Sequence, residues 1–321
     1  MMLGITELTY TAMISFLIVV ILGPIFIPML TKFKFGQPVR DDGPKTHLIK
    51  NGTPTMGGIL MIVAILITGL TRSKVSQDMI VGLICITGFG FVGFLDDFIK
   101  IKMKRSLGLK AYQKIILQFA LALYIAYYQY SASPSATQLI IPFTDAVINL
   151  GLLYVPIMMF IIIGTVNAVN LTDGLDGLAS GVTLIVAAFF MLLAGSVSNT
   201  DIAVLAAATV GACLGFLGFN SYPAKIFMGD TGSMALGGAV VAFAVLTNSV
   251  LIIPLVGGIY FAEAISVILQ VTYFKLTKKR IFKMAPIHHH FEQCGWPETR
   301  VVFIFWITTV VLAWIGIIAI F

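Results

Sequence analysis

The sequence predicts an all-α polytopic membrane protein of about ten transmembrane helices. Three observations carry that reading. The 321 residues are 59% hydrophobic and only 11% charged, whereas a soluble globular chain carries roughly 25% charged residues. Mean hydropathy is +1.00. Apolar runs near the ~20 residues that cross a bilayer as a helix recur along the whole length.

The runs come in order. Tyr10–Leu30 lacks a basic leading segment and a small-residue cleavage site, so it reads as the first spanning helix and not as a secretory leader. Thr55–Thr71 follows a Gly- and Thr-rich segment. Met79–Leu95 ends on Asp96-Asp97-Phe98-Ile99-Lys100. Tyr112–Tyr130 comes next, and Val147–Val166 runs into a polar motif. Leu178–Ala194, Ile202–Phe219, Ser233–Thr247, Leu251–Phe274 and Val301–Phe321 complete the set. Repeats, low-complexity tracts and soluble segments are not evident, so residues 1–321 read as one integral membrane domain.

The connections alternate in character. One set is Thr31–Pro54, Phe98–Ala111, Asn167–Gly177, Asn220–Gly232 and Lys275–Arg300. It holds nearly all the Lys and Arg. The other set is the N-terminus, Arg72–Asp78, Ser131–Ala146, Gly195–Asp201, Asn248–Ser249 and the C-terminus; its basic residues are Arg72 and Lys74. The positive-inside rule makes the first set cytoplasmic and both termini extracytoplasmic. The pI near 9.2 then reflects topology and contact with anionic membrane lipids, with no need for nucleic acid. Cys85, Cys213 and Cys294 show no metal-site spacing, and their odd number argues against a disulfide framework.

The cytoplasmic set also holds the unusual polar residues. Asp96 and Asp97 repel each other and disfavour a helix C-terminus. An exposed helix end with Lys100 as local partner is the plainer reading, but the cost favours a site. The segment Asn167-Ala-Val-Asn170-Leu-Thr-Asp173-Gly174-Leu175-Asp176-Gly177-Leu178 packs amides, carboxylates and glycines together. Its plainer reading is a turn in which Asp176 caps the next helix. Asn220 to Ser233 includes Phe227 and Asp230 just before an apolar run, where Asp230 could cap or present a carboxylate to a metal. Pro286-Ile-His288-His289-His290-Phe-Glu292 offers imidazoles for phosphate, backbone or carboxylate groups. Lys50-Asn-Gly-Thr-Pro-Thr55-Met-Gly-Gly adds a lysine, hydroxyls and backbone amides. All five motifs fall on one side of the membrane. Carboxylates for Mg²⁺, with Lys, His and backbone amides for phosphate, are the parts of phosphoryl transfer at a membrane surface. A transporter would instead carry ionisable groups deep in its spans, and Glu263 alone fits that description.

The runs 52–58, 96–100, 167–178, 227–233 and 286–292 resemble the polyprenyl-phosphate N-acetylhexosamine-1-phosphate transferases. The triple histidine and the Gly-Thr-Pro-Thr-Met-Gly-Gly run are similar to the branch that uses UDP-MurNAc-pentapeptide. That resemblance implies transfer of phospho-MurNAc-pentapeptide from UDP-MurNAc-pentapeptide to undecaprenyl phosphate in the bacterial plasma membrane. The products would be lipid I and UMP, the cofactor Mg²⁺, and the assembly a homodimer. A sister activity on UDP-GlcNAc is the nearest alternative. The resemblance further implies Asp230 as the main metal ligand, Asp96 and Asp97 near the lipid phosphate, and Asp173 behind the metal or substrate. It places Asn170, Gly174, Leu175, Asp176, Asn220 and Phe227 around the nucleotide, with Phe227 stacking on uracil, and counts Asn167 among the substrate-binding residues. Lys50, Thr55, Lys100, Lys104, His288, His289 and His290 would meet phosphate or sugar-peptide groups. Direct attack by the lipid phosphate and a two-step route through an aspartyl intermediate both remain open.

Overall fold

A computed structural model describes residues 4–32, 52–73, 75–103, 107–132, 137–144 and 146–320. Lys50, Lys104, Asp41 and Asp42 lie outside the described residues. The helices are α1 (Ile5–Lys32), α2 (Gly58–Arg72), α3 (Gln77–Met103), α4 (Ala111–Ala132), α5 (Tyr154–Thr172), α6 (Leu178–Ser196) and α7 (Thr200–Asn220). They continue with α8 (Gly229–Leu246), α9 (Ile253–Val256), α10 (Gly258–Thr277), α11 (Ile287–Gln293) and α12 (Glu298–Ile320). A two-stranded hairpin, β1 (Gln138–Ile140) and β2 (Val147–Asn149), sits between α4 and α5. Among the described residues, nine helices are long and apolar enough to cross a bilayer. The 15-residue α2 is apolar but short of that length, since 15 residues rise only about 22 Å. Nine such helices plus α2 stand where the sequence predicts about ten.

Helix α8 is the hub. Of its span, 89% is buried, against 22% for α1 and 33% for α12 on the outside. It is built from small residues, which let backbones touch inside a membrane. A Cβ on Gly93 of α3 would fall 2.1 Å from the Asp230 carbonyl oxygen, and one on Gly238 would fall 2.4 Å from the Cys85 carbonyl oxygen. Helix α3 therefore lies directly on α8, and its later turns meet the first turn of α8. At the other end of α3, Asp78 accepts from the Tyr128 hydroxyl at 2.8 Å, while Asp201 accepts from Ser73 and Ser76.

Several boundaries differ from the sequence prediction. Helix α3 continues through Met103, so Asp96 and Asp97 lie inside it and not at its end. Lys100 explains the extension: four positions after Asp96 and three after Asp97, it lies one helical turn on and neutralises both. Helix α5 likewise runs on to Thr172 and takes in Asn167 and Asn170. Val147–Asn149, expected at the start of a spanning helix, is strand β2, paired antiparallel with Ile140–Gln138. Its β-branched residues suit a strand. The run Leu251–Phe274 is broken at Gly257, between α9 and α10. Pro254 at the start of α9 favours that separate helix start.

Candidate active site

Asp96, Asp97 and Lys100 share one face of α3 at helical spacing. The Lys100 Nζ lies 2.6 Å from Asp96 Oδ2, 3.1 Å from Asp230 Oδ2 and 3.8 Å from Asp97 Oδ1. One oxygen from each of Asp96, Asp97 and Asp230 lies within 4.8 Å of the others. Asp230 comes from the first turn of α8. Its Oδ2 also lies 2.9 Å from Lys114 Nζ, and its Oδ1 accepts from Asn170 Nδ2 at 3.1 Å. The same Asn170 amide donates to Ser233 Oγ at 2.8 Å. Four helices thus converge on one carboxylate.

The two adjacent aspartates have different work. Asp97 is fully buried. It accepts the backbone N–H groups of Asp230 (3.2 Å) and Thr231 (2.9 Å) and the Thr231 hydroxyl (2.7 Å). These are orphan donors of a helix N-terminus. Asp97 therefore caps α8 from a neighbouring helix, and Asp230 is itself held and not the cap. Gly229, at φ +72°, makes room for this: a Cβ there would fall 2.5 Å from Asp97 Oδ2 and 2.8 Å from Thr55 Oγ1. Asp96 accepts the Leu109 N–H at 2.8 Å. That bond folds the chain back so that the first turn of α4, with Lys114, covers the cluster.

Lys114 is the residue that the sequence reading misses. It sits inside an apolar run, four positions before Gln118. That spacing was the available signal, because both side chains use one face of α4. Gln118 exchanges amide bonds with Asn167, at 2.7 and 3.3 Å. Asn167 is thereby turned to α4 and away from Asp230, three residues short of Asn170.

The remaining expected residues form the surrounding loops. Asp173, half-buried at the end of α5, has its carboxyl pushed up to about 8 by desolvation and then by the charges of Asp230, Asp97 and Asp176. Asp176 does not cap the next helix as expected. Helix α6 starts from Gly177 at φ +79° without a side-chain cap. Asp176 instead accepts the Ala224 N–H at 3.0 Å, tying two loops together. Asn220 is buried; its Oδ1 accepts from the Gly177 N–H (3.1 Å) and Ser180 hydroxyl (3.0 Å), and its amide donates to the Ile226 carbonyl (3.0 Å). Leu175 is buried beside them in sequence. Phe227 pairs by backbone with the Gly-Thr-Pro-Thr-Met-Gly-Gly segment: its N–H donates to Pro54 and its carbonyl accepts from Gly57. This brings the buried Thr55 hydroxyl against Gly229.

The three histidines part company on α11. His288 is buried, with Nδ1 3.0 Å from Glu263 Oε2. His289 Nδ1 lies 2.7 Å from Glu292 Oε2. His290 Nδ1 accepts the Lys283 N–H at 3.1 Å, so its ring holds its own loop.

The donor set suits a hard cation. Three carboxylates crowd one point, and the Lys100 ammonium already occupies a cation's place among them. Asp97 is committed to the α8 amides, whereas Asp230 is contacted by lysine and amide donors that an ion could replace. Asp230 and Asp96 are the oxygen donors left for an ion that takes one or two carboxylates and keeps several waters.

Residues 79–248 match the family described as glycosyl transferase family 4. Residues 50–62 match the phospho-N-acetylmuramoyl-pentapeptide-transferase signature 1. The chain is 83% identical to the phospho-N-acetylmuramoyl-pentapeptide-transferase of Clostridioides difficile (strain 630), across 100% of both chains. It is 54% identical to the protein of that name from Alkaliphilus metalliredigens (strain QYMF), across 99% of each. It is 50% identical to the one from Caldanaerobacter subterraneus subsp. tengcongensis, across 97% of this chain and 98% of the relative.

Proposed function

The chain belongs to the phospho-N-acetylmuramoyl-pentapeptide-transferase family, and from that premise we propose how this bacterial membrane transferase works. It moves phospho-MurNAc-pentapeptide from UDP-MurNAc-pentapeptide to undecaprenyl phosphate and releases UMP. The observation that carries this reading is the convergence of Asp96, Lys100, Lys114, Asn170 and Asp230 at one end of the bundle. Two anionic substrates repel each other. Lys100 and Lys114 offset that charge and bind phosphate oxygens. Mg²⁺, held by Asp230 with Asp96, would add Lewis-acid polarisation of the pyrophosphate.

The lipid phosphate attacks directly. Its second pKa is near 6, so at neutral pH it is a competent nucleophile without a strong base. A new P–O bond forms to the β-phosphorus as the bond to UMP breaks. Asp96 orients the incoming phosphate, and Asp97 fixes α8 and so Asp230. Asn170, Gly174, Leu175, Asp176, Asn220 and Phe227 form the nucleotide side, with Phe227 against uracil. Thr55, Lys50, Lys104, His288 and His289 meet phosphate or sugar-peptide groups. Asn167 and His290 support this surface through Gln118 and Lys283. The site faces the cytoplasm and both termini face outward, as the distribution of Lys and Arg supports. A homodimer is part of the reading, and the exposed apolar faces of α4, α10 and α12 offer area for it.

Purified protein in lipid nanodiscs, given undecaprenyl phosphate and Mg²⁺, should release UMP from UDP-MurNAc-pentapeptide and not from UDP-GlcNAc. Release from UDP-GlcNAc alone would assign the sister activity, and release from neither would refute a transferase of this class.

A further inference from the structure

Glu263 is the one carboxylate buried in the middle of the apolar sequence of α10, and it is fully buried. An ionisable group at such depth is costly unless a partner meets it. Neither of its oxygens has a hydrogen-bond partner among the described residues. The polar atom it meets is His288 Nδ1, at 3.0 Å, on a side chain that is itself only 1% exposed. Neither ring nitrogen has a hydrogen-bond partner among the described residues, so the Nδ1 contact is one of distance, and on the far side of the ring is the buried Nε2. It is aimed at Gly174, where an added Cβ would fall 2.1 Å from it. Gly174 lies between Asp173 and Asp176, in the loop assigned above to the nucleotide. The arrangement is a line from Glu263 through the imidazole to the substrate loop.

We propose that Glu263 is a positioning residue that holds His288 as the Nδ1–H form and so presents Nε2 to the substrate at the Gly174 loop. A carboxylate offers only acceptor oxygens, so a ring nitrogen turned to it is suited to carry the hydrogen, and here that nitrogen is Nδ1. The partner of one ring nitrogen decides what the other can do. With Nδ1–H turned to Glu263, Nε2 is the atom that accepts a hydrogen bond, or donates one when protonated, to a sugar hydroxyl or phosphate oxygen. The absent Cβ of Gly174 leaves the gap through which it reaches. This deepens the transferase reading and rests on it for the substrate.

The test has a spectroscopic arm and a kinetic arm. The chain has four histidines, so nitrogen NMR of isotopically labelled histidine, assigned with His288→Gln, reads the ring directly. A hydrogen on Nδ1 of His288 in the wild-type protein is expected, and a bare Nδ1 overturns the proposal. In UMP release, Glu263→Gln should lower kcat about tenfold while leaving KM for the UDP-sugar within about threefold. Combining it with His288→Gln should cost no more than His288→Gln alone. Unchanged kcat in Glu263→Gln, or losses that multiply in the double variant, overturn it. If Glu263→Gln does not fold, the wild-type NMR decides. If the wild-type protein releases no UMP, the transferase reading fails while the NMR result still judges the dyad.

Discussion

Asp173 shows how crowding sets the behaviour of a single side chain. Its carboxyl is pushed up to about 8 by desolvation and by the neighbouring aspartates, from about 3.9 in an unfolded chain. The folded state therefore disfavours the ionised form. Below about pH 4 this group costs the fold nothing; the cost grows as pH rises toward 8 and is constant above that. Without nucleotide or divalent cation, Asp173→Asn should raise the thermal midpoint over wild type by a margin that grows from pH 5 to pH 8. A margin independent of pH would contradict the assignment. Asp230, Asp96 and Asn170 are legible in the sequence because carboxylates and amides beside apolar runs need a reason. Lys114 is harder to read: its spacing to Gln118 is the one signal, and a lysine near a span edge is what topology alone predicts. Only the fold shows that α4 turns it onto Asp230, at 2.9 Å.

Among the elements, α8 depends on α3 at both backbone and charge. Its close-packed face needs Gly93 and Gly238, and its N-terminal donors need Asp97. No local sequence pattern reveals this cap, because the capping residue lies more than a hundred positions before the helix. The hairpin and the break at Gly257 escape the sequence for a similar reason: a continuous apolar run looks the same whether it crosses as one helix or bends. Asp97→Asn keeps the shape but turns one acceptor oxygen into a donor facing buried donors. It should destabilise the protein by about 1–3 kcal/mol, read as a lower thermal midpoint, with UMP release falling as Asp230 shifts. A full loss of turnover with an unchanged midpoint would place Asp97 in the chemistry instead.

For the whole molecule, five stretches far apart in sequence share one end of the bundle, and polarity at that end is what the sequence displays best. Orientation can be read without mutation. Cys85 and Cys213 are buried, while Cys294 is exposed beside α11. A membrane-impermeant maleimide should label the protein in inverted vesicles and not in intact spheroplasts; labelling of intact spheroplasts would reverse the topology. The convergence itself makes Asp230 the point on which Lys100, Lys114, Asn170 and the Asp97-capped helix all bear. The most direct measurement is UMP release by Asp230→Asn across a Mg²⁺ titration, beside its thermal midpoint. Folded protein with no Mg²⁺-dependent turnover is expected, and near-normal UMP release would contradict the site.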